Sequence, residues 1–350
     1  MAFAIPTASA PPSASLTESL SGDPFLAAAG NLKSLCGGSL DRVDAAILDA
    51  LHSPVEMIPK VAGHLMQAGG KRLRPLLTIS AADLFGYDGN DHIKLAAAVE
   101  LIHGATLLHD DVVDESALRR GLSTANLIWG DKESVLVGDF LFSRSFELMV
   151  STGKLSVLDI LSRASGVIAE GEVLQLGTQK NIETSFDDYL KVIDAKTAAL
   201  FAAAAEVGAT VAEAGEEACN AMRSFGRHLG LAFQLVDDAL DYSGVETSLG
   251  KNVGDDFREG KMTAPIVFAI SKATPTQKDF WKRTISDGNQ REDDFLQAMS
   301  IVLETGAIAE TLSTASYHAS KALDALKLAP AGKVRDTLEA LARVSVHRGQ

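Results

Sequence analysis

Cysteine is almost absent: Cys36 and Cys219 are the two in 350 residues, and no CxxC spacing joins them. Neither a disulfide framework nor a thiolate zinc site is indicated, and a reducing, cytoplasmic setting is expected. Long apolar runs are missing too. No uncharged stretch reaches the roughly 18 to 20 residues that a bilayer core demands, so no transmembrane segment is expected. Positive charge is in deficit, with 32 Lys plus Arg against 46 Asp plus Glu and a formal net charge of −14. Phosphate backbones are bound by surplus cation, so nucleic acid is not an expected partner. The first basic residue is Lys33, which leaves no cationic region for a signal peptide and no arginines for a mitochondrial presequence. Alternation of apolar and polar residues long enough to argue a sheet is missing as well.

What is present begins with an opening rich in Ala, Ser and Pro, with three prolines in the first twelve positions. Such a segment blocks regular pairing and has little to bury, so residues 1–32 are expected to be a disordered extension. Beyond it the signal is helical. SLDRVDAAILDALHS, HIKLAAAVELIHGATLLHDDVVDE and FDDYLKVIDAKTAALFAAAAEV place apolar residues three and four apart with Ala-rich interiors. Several of these segments are apolar nearly all round, which marks the inner members of a large bundle. The expectation is one all-α domain over residues 33–350, a bundle of ten or more helices.

Two acidic motifs recur about 127 residues apart: Asp110-Asp111-Val-Val-Asp114 and Asp237-Asp238-Ala-Leu-Asp241. Residues i and i+4 of a helix lie about 40° apart, so Asp110 shares a face with Asp114, and Asp237 with Asp241. Two such faces repel unless cations sit between them. All-oxygen ligands without His or Cys favour Mg²⁺, which bridges to phosphate oxygens. Basic groups stand where a diphosphate would need them: Gly70-Lys71-Arg72-Leu73-Arg74-Pro75, the Arg119-Arg120 pair, and Lys251 and Lys261 after the second motif. His103 follows Glu100 in an ExxH pattern, but no second ExxH exists to complete a di-iron site. On the helical wheel His103 lies about 20° from Asp110, on the motif's side, whereas His109 lies about 100° away and is read as structural.

GGKRLRP, HDDVVDESALRRG, the Lys196-Thr197 pair, QLVDDALDY and GKNVGDDFREGKMTAPI, in that order, resemble the motifs of the all-trans isoprenyl diphosphate synthases, and most of all those of its bacterial long-chain members. The likeness runs from about residue 40 to the C-terminus. It implies an all-α prenyltransferase of the isoprenoid synthase type, with the helices around a central cavity, and a homodimer. The implied reaction is Mg²⁺-dependent condensation of isopentenyl diphosphate onto an allylic diphosphate, giving about C40 to C50 products for quinone side chains such as that of ubiquinone. Product would be handed over at a membrane surface.

By the same resemblance Asp110, Asp114 and Asp237 hold the metal ions, with Asp111, Asp238 and Asp241 as further or water-mediated ligands. Arg119, Lys196, Lys251 and Lys261 contact the allylic diphosphate, while Lys71, Arg74, His103 and Arg120 hold isopentenyl diphosphate. Thr197 and Gln234 lie near the reacting carbons. A growing chain would run down the helix before the first motif, past Ile102, Ala105 and Thr106, toward Met149 and Leu161. A class I terpene cyclase would carry an Asn-Ser/Thr-Glu second motif, and a non-catalytic subunit would have lost an aspartate motif; neither departure is present. A short-chain synthase with C15 to C20 products and a non-catalytic subunit of a heteromeric synthase are the alternatives.

Overall fold

The computed structural model describes residues 23–243 and 254–347. Helices α1 (Pro24–Leu35), α2 (Gly37–Ala50), α3 (Met57–Gln67) and α4 (Leu73–Leu84) lead into the long α5 (Asp91–Val113). A two-residue hairpin, β1 (Leu118–Arg119) with β2 (Leu122–Ser123), then precedes α6 (Ala125–Trp129), α7 (Asp131–Val150) and α8 (Leu155–Thr178). Helix α9 (Phe186–Ile193) runs through a π-turn at Asp194–Ala198 into α10 (Ala199–Val211), and α11 (Glu216–Asp241) follows. The remainder comprises α12 (Asp255–Arg258), α13 (Ala264–Ser271), α14 (Pro275–Trp281) with a second π-turn, α15 (Asp294–Glu304), α16 (Ala307–Leu326) and α17 (Lys333–Val344). Among the described residues no single helix is long and apolar enough to cross a membrane.

The all-helical expectation holds, but residues 24–32, expected to belong to a disordered extension, form most of α1. Asp23 caps α1 by accepting from the Phe25 backbone N–H at 2.8 Å, and Pro24 occupies the first helical turn. Phe25, Ala28, Ala29 and Leu32 are all buried and follow i, i+3, i+4, i+7 spacing, so composition hid an amphipathic helix that packs on α17, α4 and α2.

The alanine-rich α10 is central, packed between α4, α8 and α11. Two glycines allow this closeness. A Cβ on Gly208 would stand 2.3 Å from the Thr78 carbonyl oxygen on α4, and one on Gly226 would stand 2.3 Å from the Phe201 carbonyl oxygen. Buried apolar side chains form two clusters, and α11 belongs to both: Met222, Phe225 and Leu229 to one, Leu231, Leu235 and Val236 to the other. The acidic motifs fall at the C-terminal ends of α5 and α11.

Candidate active site

A cavity of about 780 Å³ opens between the ends of α5 and α11. Asp110 and Asp114 line one wall, and Asp237, Asp238 and Asp241 line another. Helical spacing aims Asp110 and Asp114 together, as the sequence implies, and turns Asp111 away. That carboxylate is 1% exposed and does not line the cavity. Arg119 grips it from Nε at 2.9 and 3.0 Å and from Nη2 at 2.7 Å. Asp111, expected as a further or water-mediated metal ligand, is held by Arg119, which does line the cavity.

The hairpin explains how two adjacent arginines reach the same space. Its central residues, Arg120 (φ 52°) and Gly121 (φ 79°), both adopt the left-handed conformation that a tight two-residue turn requires. Opposite, the Gly70-Lys71-Arg72 turn approaches so closely that a Cβ on Gly70 would sit 2.8 Å from Arg120 Nη1. Lys71, Arg74 and His103 complete this basic end. Arg74 Nη1 donates to His103 Nε2 at 3.2 Å, which places the His103 proton on Nδ1. Burial, then the charges of Arg74, Arg120, Arg119 and Arg72, hold the imidazole well below the usual histidine range, so it is neutral. Burial also lowers the Arg74 guanidinium to about 10, and its Nε has no partner.

Lysines serve the acidic end. The π-turn carries Lys196 and Thr197 into the cavity, a common use of such a break in helical register. Lys196 Nζ lies 2.7 Å from Glu172 and 3.4 Å from Asp110. Lys261 Nζ lies 2.9 Å from Asp114 and 2.6 Å from Glu259. It thus ties the segment after the second motif to the first. Burial raises the Asp110 carboxyl, an effect opposed by Lys196 and reinforced by the charge of Asp114. Glu172 is likewise raised by burial and then by Asp110, and its Oε1 is buried without a partner.

A hydrogen-bonded chain crosses the floor. Thr197 Oγ1 donates to Gln234 Oε1 at 3.0 Å, Gln234 Nε2 donates to Asp238 at 2.8 Å, and Tyr189 Oη donates to the other Asp238 oxygen at 2.6 Å. Burial, then the charge of Asp256, pushes the Asp238 carboxyl up to about 7. Asp241 accepts from the backbone N–H groups of Gly254 and Asp256, at 3.1 and 3.2 Å, and so fixes the start of α12.

Of the chain-length candidates, Thr106 lines the cavity. Ile102, Ala105, Met149 and Leu161 are fully buried members of the core cluster around α5, α7 and α8. Lys251 lies outside the described residues. His109 is structural, with Nε2 3.1 Å from the Val135 carbonyl oxygen and against Gly138 on α7. Cavity residues that the sequence reading left unassigned include Glu172, Gln175, Tyr189, Phe233, Asp255 and Asp256. Asp255 and Asp256 stand inside a motif already quoted, and Glu172 is the second acid of Glu170-Gly171-Glu172 on α8.

An all-helical bundle with two aspartate-bearing helix ends and a basic cluster around one cavity defines an enzyme that handles diphosphates. The sequence profile of the polyprenyl synthetase family matches residues 55–302. The chain is 44% identical over 319 residues to the octaprenyl diphosphate synthase of Escherichia coli, covering 91% of this chain and 98% of that one. A polyprenyl synthase from Caulobacter crescentus, solved with calcium and isoprenyl diphosphate, superposes with TM-score 0.88 at 52% identity over 91% of this chain and 98% of that one. A decaprenyl diphosphate synthase from Rhodobacter capsulatus does so with TM-score 0.88 at 48% identity and the same coverage. The chain belongs to the polyprenyl synthetase family and is a prenyltransferase.

Proposed function

We propose that the protein is a long-chain all-trans polyprenyl diphosphate synthase that adds isopentenyl diphosphate repeatedly to an allylic diphosphate, reaching about C40 to C50 for quinone side chains. One observation carries this reading: the cavity holds two separate poles, carboxylates with lysines at one and arginines with a neutral histidine at the other. Two diphosphates of unlike role fit two poles of unlike chemistry. The all-oxygen donor set suits Mg²⁺, and the unpartnered Glu172 Oε1 adds a further oxygen beside Asp110. Asp110, Asp114 and Asp237 would hold the ions, with Asp238 and Asp241 behind them; bound Mg²⁺ would neutralise charge on the allylic diphosphate.

Lys196, Lys261 and Arg119 grip that diphosphate as its bond to the allylic carbon breaks, and the charge leaving with its oxygen is stabilised where it develops. Lys251 would join them. The Thr197 and Gln234 oxygens, held in place by the chain through Asp238 to Tyr189, face the allylic cation without attacking it. Isopentenyl diphosphate, held by Lys71, Arg74, His103 and Arg120, presents its double bond. A carbon–carbon bond forms, and the proton lost goes to the released diphosphate. The lengthening chain passes Thr106 into the packed region at Ala105, Ile102, Met149 and Leu161.

A homodimer is proposed as well, supported by outward apolar residues on α7 and α8 that include Leu136, Val150, Leu155 and Val173. We place the enzyme in the cytoplasm, releasing product at a membrane surface. Purified protein given Mg²⁺, farnesyl diphosphate and labelled isopentenyl diphosphate should yield a ladder of elongated diphosphates ending near C40 to C50. A cyclic hydrocarbon, or no product without an added partner, would overturn the proposal.

A further inference from the structure

The turn before α4 brings Lys71, Arg72 and Arg74 to the cavity wall. Lys71 and Arg74 are assigned to isopentenyl diphosphate, whereas Arg72 has no part in that assignment. Its backbone is the unusual one. With φ 49° and ψ 31°, a residue bearing a long side chain takes the left-handed conformation, in which its Cβ crowds a neighbouring carbonyl oxygen. Gly69, three residues earlier, enters the same region at φ 75° without that penalty. Nothing in the local chemistry of Arg72 favours the conformation, so the hold on it comes from elsewhere.

The side chain supplies it. Arg72 Nη1 donates to Glu100 Oε1 on α5 and to Met66 Sδ on α3 at 3.6 Å, and Nη2 lies 3.5 Å from Asp44 Oδ1 on α2. The Arg72 and Glu100 side chains are 19% and 11% exposed, so solvent screens the pair little. Two residues further on, Arg74 donates to His103, three residues beyond Glu100 on the same helix. Parallel ties, Arg72 to Glu100 and Arg74 to His103, thus fasten the turn to α5. A right-handed residue at 72 would extend α4 backwards from Leu73 and carry Lys71 off this wall.

We propose that Arg72 is a positioning residue for isopentenyl diphosphate: its ion pair with Glu100 holds residue 72 left-handed, and this fixes Lys71 and Arg74 on one wall of the cavity. The inference rests on the reading that Lys71 and Arg74 hold that diphosphate.

Glu100→Gln, Arg72→Ala, Arg72→Gly and Lys71→Met, each in the full-length chain, are compared by steady-state kinetics with isopentenyl diphosphate and farnesyl diphosphate varied in turn. Glu100→Gln is the decisive variant, because it removes a negative charge from the basic pole and leaves every cation in place. If Arg72 served as a direct ligand or as charge alone, KM for isopentenyl diphosphate would fall; positioning requires it to rise. Arg72→Ala should raise that KM roughly 5- to 30-fold, the weight of one residue's aversion to the left-handed region. Arg72→Gly, which takes this conformation freely, should fall between Arg72→Ala and the parent. KM for farnesyl diphosphate should stay level in the Arg72 and Glu100 variants. An unchanged or lowered KM for isopentenyl diphosphate in Glu100→Gln, or one as high in Arg72→Gly as in Arg72→Ala, overturns the role of Arg72, and a raised KM in Lys71→Met then leaves the diphosphate pole in place. An unchanged KM in Lys71→Met removes that pole's assignment and the inference together. If Arg72→Ala does not fold, Glu100→Gln alone decides.

Discussion

The two poles of the cavity solve opposite problems. At the acidic pole, buried carboxylates crowd together and lysines are drawn between them: Lys196 to Glu172 and Asp110, Lys261 to Glu259 and Asp114. At the basic pole, arginines crowd together, and neutral groups relieve them. His103 is held uncharged, the Arg74 proton affinity is lowered, and phenylalanine faces support Lys71 and Arg74. Glu100, which lines the cavity, pairs with Arg72 there, and between the two poles Asp111, which does not line it, pairs with Arg119. The acidic pole thus holds its lysines by ion pairs, and the basic pole sets Lys71 and Arg74 against aromatic rings as well.

The contrast breaks most readily at Asp110. Asp110→Ala or Asp114→Ala should cost about 3 kcal/mol or more in the barrier, a loss of roughly 100-fold in kcat or greater. The fold should survive, because a crowded carboxyl is removed and, in Asp110→Ala, Glu172 still holds Lys196; near-normal turnover would sink the metal assignment. Arg119→Ala should act on stability as well as on the allylic substrate. It strands Asp111, 1% exposed, and leaving a buried charge unpaired costs about 3 kcal/mol. Arg119→Ala/Asp111→Asn should restore the melting temperature but not the KM for the allylic substrate, and recovery of both would show that the contact is structural alone.

Arg120→Ala should raise KM for isopentenyl diphosphate by roughly 10- to 100-fold, the worth of a hydrogen bond to a charged group, and leave the allylic KM near its starting value. The reverse pattern would exchange the roles of the two arginines. Ala105→Phe should shift products toward about C15 or C20 with the first condensation retained, at about 1 to 3 kcal/mol of overpacking. An unchanged ladder in reversed-phase chromatography of the dephosphorylated alcohols would remove the passage beside α5.

The smallest effect lies away from both poles. His228 Nδ1 and His318 Nδ1 are 2.9 Å apart between α11 and α16, with Arg227 and Asp194 nearby. Burial, then the neighbouring His228, lowers His318 to about 4. The unfolded chain takes this proton near pH 6.5, so acid favours unfolding: stability from this group is complete above pH 6.5 and declines as pH falls toward 4. Melting temperatures of His318→Asn should fall less steeply than those of the parent between those values, and parallel curves would contradict the shift.

Much of the site was legible because helical spacing is rigid. Two DDxxD runs had to present paired carboxylates, and both do. The same wheel that set His109 aside also turns Asp111 about 100° from Asp110, a step that motif resemblance obscured. The α1 pattern was written in Phe25, Ala28, Ala29 and Leu32 but diluted by the composition around it. Pairings set by tertiary packing left little local trace. Nothing near Lys71 in sequence points to Phe25, and nothing near Lys196 points to Glu172. The hairpin was too short for alternation to show, and the π-turn at Lys196 interrupts the spacing from which helices are read.

Helix α11 runs unbroken through both apolar clusters, with its second aspartate motif at the far end. Two close crossings fix where it lies: a Cβ on Gly226 would stand 2.3 Å from the Phe201 carbonyl oxygen of α10, and one on Gly230 would stand 2.8 Å from Ala198 Cα in the π-turn. Asp237 lies eleven residues beyond the first, about 16 Å along the axis. A side chain at either glycine would push α11 away from the π-turn whose hydroxyl meets Gln234, so the spacing of the two acidic walls depends on residues that touch neither substrate.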